Sequence, residues 1–189
     1  MNITVYLGSS LGNDKIYTDE VEKLGKWIAD NGHTLVFGGS KEGLMEKLAV
    51  AALQQGGKVV GVDTQLLYDL YGVVEGITKL EIKERMADRI NRMTELGDMF
   101  IIFPGGVGTL EEAASVMSKN KLGIGRIKHI IFYNLGGFYN GIREYFFGMQ
   151  SKGFGDDKSY KVTHFVNTIT EIDEIVRNTM LNLSNKKIS

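Results

Sequence analysis

The 189-residue chain sets 22 lysines and arginines against 23 acidic residues, a formal net charge of −1, and is 43% hydrophobic and 24% charged. This is the balance of a soluble globular chain, and it offers no basic field for nucleic acid or for an anionic membrane surface. Cysteine is absent, which excludes disulfides, thiolate metal sites and cysteine nucleophiles.

The length suits one domain with its own core. The opening MNITVYLGSS has no basic stretch and too short an apolar run for a leader, and no later run spans a bilayer, so a cytoplasmic protein is expected. Short β-branched runs alternate with amphipathic ones. NITVYLG reads as a strand ending at Gly8, and Tyr17, Val21, Leu24 and Ile28 follow at helical spacing to a stop at Gly32. HTLVFGG is the second strand, and the helix through Leu44, Leu48, Ala51 and Ala52 stops at Gly56-Gly57. KVVGV is the third strand, residues 64–71 a short helix or turn, and ITKLEI a fourth strand.

A helix over Glu84–Leu96 places Met86, Ile90 and Met93 on its apolar side. MFIIF is the fifth strand, TLEEAASVMSKN a helix opened by Thr109, and IKHIIFYN the sixth strand. FYNGIREYFFGM is an aromatic helix with more apolar surface than one core-facing stripe needs, read either as burial under the final helix ITEIDEIVRNTMLNL or as a surface for assembly, with YKVTHFV a last strand between the two helices. Alternating strands and helices predict a mostly parallel sheet of six or seven strands, covered on both faces. The expected architecture is a single doubly wound α/β domain over residues 1–183 with a frayed tail at 184–189.

Three strands end in small-residue loops: LGSSLGN with Gly8 and Ser9, FGGSKEGLM with Gly38 and Gly39, and FPGGVGT with Gly105, Gly106 and Gly108. Glycine there admits positive φ and close approach of backbone amides, and a following helix N-terminus favours an anion. Three such loops on one sheet edge predict a nucleotide-sized ligand. The third glycine of a dinucleotide fingerprint is missing after Gly106-Val107-Gly108, and no Gly-Lys-Ser/Thr follows any loop. The lone proline, Pro104, drives Phe103 out of the helical region and ends its strand.

Thr109 and Glu112 have the spacing of a capping box, which on spacing alone is the favoured reading. Yet Leu110, Ala113, Ala114 and Met117 form the buried stripe, so Glu112 faces the loop mouth, where a carboxylate could meet a ligand. Arg85, Arg89 and Arg92 run along one side of the preceding helix; for Arg85 and Arg92 a solvated face is the favoured reading, with Glu81 and Asp88 as their respective i, i+4 partners.

PGGVGTLEE matches the motif P-G-G-x-G-T-x-x-E, and MADRINRM upstream is similar to an M-H-x-R-K segment. With GSSLGN, FGGSKEGLM and GGKVVGV in order, the first two thirds of the chain resembles the Lonely Guy family of cytokinin-activating phosphoribohydrolases. The resemblance implies a Rossmann-like fold and hydrolysis of the N-glycosidic bond of an adenosine-type, AMP-like nucleoside 5′-monophosphate to free base and ribose 5-phosphate. It implies Arg89 and Glu112 as the catalytic pair. It implies Gly106, Val107, Gly108, Thr109, Leu110, Glu111 and Glu112 as the binding stretch, with Ser118 where a threonine usually meets substrate. The amides from Gly105 to Thr109 would hold the phosphate, Glu112 would stabilise an oxocarbenium-like ribose and activate water, and pairing with Arg89 would keep Glu112 ionised. No metal and no cofactor is needed, and at least a homodimer is expected. His33, His129 and His164 lie far apart in sequence and read as ordinary histidines. Ala87, Ile90 and Val107 depart from the family's histidine, lysine and tyrosine. The competing readings are a non-catalytic nucleotide or molybdenum-cofactor carrier on the same fold, then a pyridoxal-phosphate decarboxylase.

Overall fold

A computed structural model describes residues 1–155 and 157–185. Seven strands form one sheet: β1 (Asn2–Tyr6), β2 (Thr34–Phe37), β3 (Lys58–Thr64), β4 (Lys79–Lys83), β5 (Met99–Ile102), β6 (His129–Tyr133) and β7 (Thr163–Val166). All pairs are parallel, in the order β4-β3-β2-β1-β5-β6-β7. The helices are α1 (Lys15–Asp30), α2 (Gly43–Gln54), α3 (Gln65–Tyr71), α4 (Met86–Leu96), α5 (Val107–Leu122), α6 (Asn140–Ser151), α7 (Asp157–Lys161) and α8 (Ile169–Asn185).

Period-two alternation along the central strands feeds two cores. Ile3, Val5, Met99, Ile101 and Phe103 meet Val21, Leu24 and Ile28 of α1, Leu48 of α2, and Ile172 and Val176 of α8. Tyr6, Phe100, Ile102, Ile130 and Phe132 meet Met93 of α4, Ala113 and Val116 of α5, and Phe146 of α6. The sheet is therefore buried on both faces, which is why its strands read as near-continuous apolar runs.

Three details differ from the sequence reading. The aromatic helix is not under the final helix: α6 and α8 cover opposite faces, and α6 leaves Tyr145 and Phe147 exposed while burying Phe146. It also starts later than expected, because a 3₁₀ turn over Leu135–Gly137 precedes it and the Asn134 side chain accepts from Tyr139 N at 2.7 Å. Tyr160 and Lys161 close α7 instead of opening β7; the Tyr160 hydroxyl donates to the Phe146 carbonyl, and Thr163 Oγ1 donates to Ser159 O at 2.8 Å. α8 runs to Asn185, and residues 186–189 of the expected tail lie outside the described residues. Among the described residues no helix is long and apolar enough to cross a membrane.

Two histidines far apart in sequence meet across β6 and β7. The rings of His129 and His164 are parallel, 5.3 Å between centroids, with Nδ1 and Nε2 3.0 Å apart. Burial pushes both down, His164 to about 4 from 6.5, with the charge of His129 adding to the effect. The unfolded chain therefore binds protons more readily than the folded one between these values, so stability falls as pH drops from about 6.5 to about 4. The His164→Gln variant is expected to show a shallower fall in melting temperature across that window than the parent chain. Equal slopes would remove the histidine pair as the cause.

Candidate active site

The sheet order reverses between β1 and β5: from β1 the chain winds outward through β2 to β4, and from β5 through β6 to β7. Ligands in open parallel sheets sit in the crevice beyond such a switch point. Here the two loops are tied together. Gly8 N donates to Pro104 O at 3.2 Å and Phe103 N donates to Tyr6 O at 2.9 Å. A β-carbon on Gly105 would overlap Thr109 Oγ1 and meet Gly8 N at 2.6 Å, so this approach needs glycine. Within the three loops Gly12, Gly39 and Gly43 adopt positive φ, +79°, +91° and +52°, while Gly8, Gly38, Gly105, Gly106 and Gly108 do not. Gly38 and Gly105 serve through their missing side chain, whereas a β-carbon at Gly106 or Gly108 would meet nothing within 4 Å.

The helix after Pro104 begins two residues before its expected start. Gly106 is its N-cap, Val107 its first residue, and no side chain caps it. Thr109 is thus third in α5 and buried, and Glu112 is sixth, so the capping box is not formed. The early amides of α5 point from an uncapped end, with the positive end of a 16-residue helix dipole behind them.

Glu112 instead turns to α4. Its Oε1 accepts from Arg89 Nη1 at 2.9 Å, with Arg89 7% and Glu112 8% exposed. Arg89 is therefore buried, apart from the solvated face of Arg85 and Arg92. Its Nε donates to Val62 O at 3.0 Å and lies 3.6 Å from Asp63 Oδ1. Asp63 is fixed in turn by Ser40 Oγ and its neighbour's amide, Thr64 N, each at 2.9 Å. Arg85 and Arg92 do face solvent, but with exchanged partners: Arg85 pairs with Asp88, and Arg92 clamps Glu81 at 2.8 and 3.1 Å.

Burial raises Glu112 above the usual carboxylate range, and the Arg89 guanidinium restrains that rise. Burial likewise raises Asp63, opposed by its hydrogen bonds and by Arg89. Pairing with Arg89 does favour the ionised form of Glu112, as expected, but desolvation is the larger influence.

Gly38 makes the arginine's place possible. A β-carbon there would overlap Arg89 Nη2 and meet Met45 Sδ at 3.0 Å. Because the obstructed atoms are ends of flexible side chains, Gly38→Ala is expected to leave melting temperature nearly unchanged while displacing the guanidinium. Turnover should fall about tenfold or more, roughly 1.4 kcal/mol; wild-type turnover would show that Arg89's position is not critical.

The cleft, about 410 Å³, is lined among others by Gly8, Ser9, Gly38, Arg89, Gly106, Val107, Gly108, Thr109, Glu111 and Glu112. Gly105 lines an adjoining hollow with Tyr17 and Phe138. Gly39 and Leu110 are not among the cleft-lining residues, and Ser118 is exposed on α5 away from it. Sequence reasoning missed Ser40, Asp63, Met45, Leu67 and Tyr71. Asp63 carried a usable signal: an acid at the carboxyl end of the apolar run KVVGV, on the edge where ligands sit. Ser40 and Met45 lay within the quoted loop FGGSKEGLM, whereas Leu67 and Tyr71 carried none.

A doubly wound sheet with a cleft at its switch point, holding a buried arginine–glutamate pair, defines a class: α/β proteins that take a small ligand beyond their strand ends. Comparison gives the particular family. The model described as possible lysine decarboxylase matches residues 45–176, further along the chain than the motifs alone reach. The chain is 36% identical over 154 residues to the cytokinin riboside 5′-monophosphate phosphoribohydrolase of Rhodococcoides fascians, covering 81% of this chain and 77% of that protein. It is 34% identical to the enzyme of the same name from Oryza sativa subsp. japonica, covering 80% of this chain and 62% of that one. The chain belongs to this family, the Lonely Guy family. Its fold is shared with the molybdenum cofactor carrier protein of Chlamydomonas reinhardtii, at TM-score 0.73 and 18% identity over 95% of this chain and 98% of that one. The molybdenum cofactor binding protein of Rippkaea orientalis gives 0.71 and 19% over 95% and 96%. At those identities the likeness is one of fold.

Proposed function

We propose that the chain is a phosphoribohydrolase that cleaves the N-glycosidic bond of a purine nucleoside 5′-monophosphate, of adenosine or cytokinin riboside type, to free base and ribose 5-phosphate. The observation that carries this is the buried Arg89–Glu112 pair facing a cleft beside the uncapped start of α5. The family relatives named above support it.

In this reading the 5′-phosphate rests against the amides from Gly105 to Thr109, opposite Gly8 and Ser9, with Val107 and Glu111 at the mouth. As the bond from C1′ to the base nitrogen breaks, its electrons leave with the base and positive charge grows on the ribose. Glu112 offsets that charge and takes a proton from the water whose oxygen bonds to C1′. The proton balance closes when the departing base is protonated. A carboxylate raised by burial is a stronger base than an exposed one. Arg89 holds Glu112 in register and is itself held by the Val62 carbonyl and Asp63. Met45, Leu67, Tyr71 and Met86 form the side of the cleft left for the base. Ser118 enters only across a homodimer, because on its own chain it lies outside the cleft; a monomer by light scattering would remove both. We place this activity in the cytoplasm.

Incubation with a panel of nucleoside 5′-monophosphates, followed by chromatography, tests the reading. Release of adenine with ribose 5-phosphate from AMP supports it. AMP bound but uncleaved would favour a carrier.

A further inference from the structure

We propose a second ligand site, for a phosphate-bearing small molecule, in the hollow between the C-terminal halves of α4 and α5. It has a volume of about 590 Å³ and shares no lining residue with the cleft. Asp98 and Lys128 on its wall directly precede β5 and β6, which puts it at the opposite end of the sheet.

Its charges are unevenly partnered. Both carboxylates on its wall are already engaged by arginines: Glu95 by Arg92 at 3.2 Å and Asp98 by Arg126 at 2.7 Å, with Asn2 N also on Asp98 at 2.8 Å. The two lysines have neutral partners. Lys119 Nζ donates to Asn91 Oδ1 at 2.9 Å. Lys128 Nζ donates to the Thr94 carbonyl and lies 5.5 Å from the centre of the Phe100 ring. Among the described residues neither ammonium forms an ion pair with a carboxylate. Burial lowers the pKa of both; at Lys128 the charges of Arg126 and Lys119 add to it, while Glu95 opposes the shift at each lysine and Asp98 at Lys128, neither within ion-pair distance.

Lys128 is also held in place. Asn120 takes both of its backbone groups, donating to Lys128 O at 2.8 Å and accepting from Lys128 N at 3.0 Å. Each ammonium has three N–H donors, so both keep donors for a ligand. A phosphate between them gains charge-assisted hydrogen bonds and supplies the direct ion pair that neither carboxylate makes. The volume falls in the range of small-molecule sites, about 300–1,000 Å³, and Val116 and Ile124 give it an apolar side. That leaves room for more than a bare phosphate.

The test uses ¹⁵N-labelled full-length protein titrated with inorganic pyrophosphate, and in a second arm with ribose 5-phosphate. Saturable shifts of the Asn91, Asn120 and Gly125 amides are expected, separate from any at Gly106 and Gly108. In the Lys119→Gln/Lys128→Gln double variant, affinity at the hollow should weaken about tenfold or more, with the Gly106 and Gly108 response unchanged. If that variant does not fold, Lys119→Gln alone should show a weakening of about threefold or more. Saturable shifts confined to Gly106 and Gly108, or equal affinity in the variants, would overturn the proposal. Tighter ribose 5-phosphate assigns a sugar phosphate; tighter pyrophosphate assigns an inorganic one.

Discussion

Glu112→Gln is expected to abolish adenine release from AMP while leaving AMP affinity within about twofold of the parent. Glutamine keeps the shape and an amide oxygen that can still accept from Arg89 Nη1, now 2.9 Å from Oε1, so the cleft should keep its form. What goes is the negative charge opposite C1′ and the ability to take a proton. With Glu112 only 8% exposed, bulk water is poorly placed to substitute. A loss of about a thousandfold or more, roughly 4 kcal/mol of transition-state stabilisation, should appear in kcat and not in binding. Turnover near the parent rate, with isothermal titration showing normal binding, would end the role assigned to Glu112. The Thr109 capping explanation would not recover, because Glu112 does not reach the start of its helix.

Arg89→Ala should cost at least about a hundredfold, roughly 3 kcal/mol, and should also move the pH profile. The sign follows from the opposing influences on Glu112: burial favours its neutral form and Arg89 its ionised form. Without the guanidinium, burial acts unopposed, the carboxyl holds its proton to higher pH, and the acid limb of kcat/KM shifts upward. Lysine should not rescue. A point charge cannot donate to Val62 O from one side and Glu112 from another as the planar guanidinium does. A variant as slow as predicted but with an unmoved acid limb would show that Arg89 acts on the substrate instead of on Glu112. Parent-like rates would exclude both.

Much of the fold was legible because each strand is a short apolar run ended by glycine or a polar residue, and each long helix repeats at 3.6 residues. The order of strands was not legible, since pairing between β1 and β5 joins segments nearly a hundred residues apart. The same distance hid His129 beside His164 and Asp63 beside Arg89, whose partners are set by neighbouring strands and not by local spacing. The start of α5 misled for a different reason. Thr109 and Glu112 satisfy a local pattern, but Val107 and Gly108 already follow helical geometry, and the nearby buried arginine takes the carboxylate. Local preference set the candidate; tertiary electrostatics decided its partner.

The uncapped opening of α5 has a consequence for altering this protein. A grip made of peptide groups has no side chain to delete, so single replacements at Met45 or Tyr71 should retune which base is taken while the demand for a terminal phosphate persists. Only a change that shifts the main chain itself, as a methyl group at Gly105 would, is expected to let unphosphorylated nucleosides compete on equal terms.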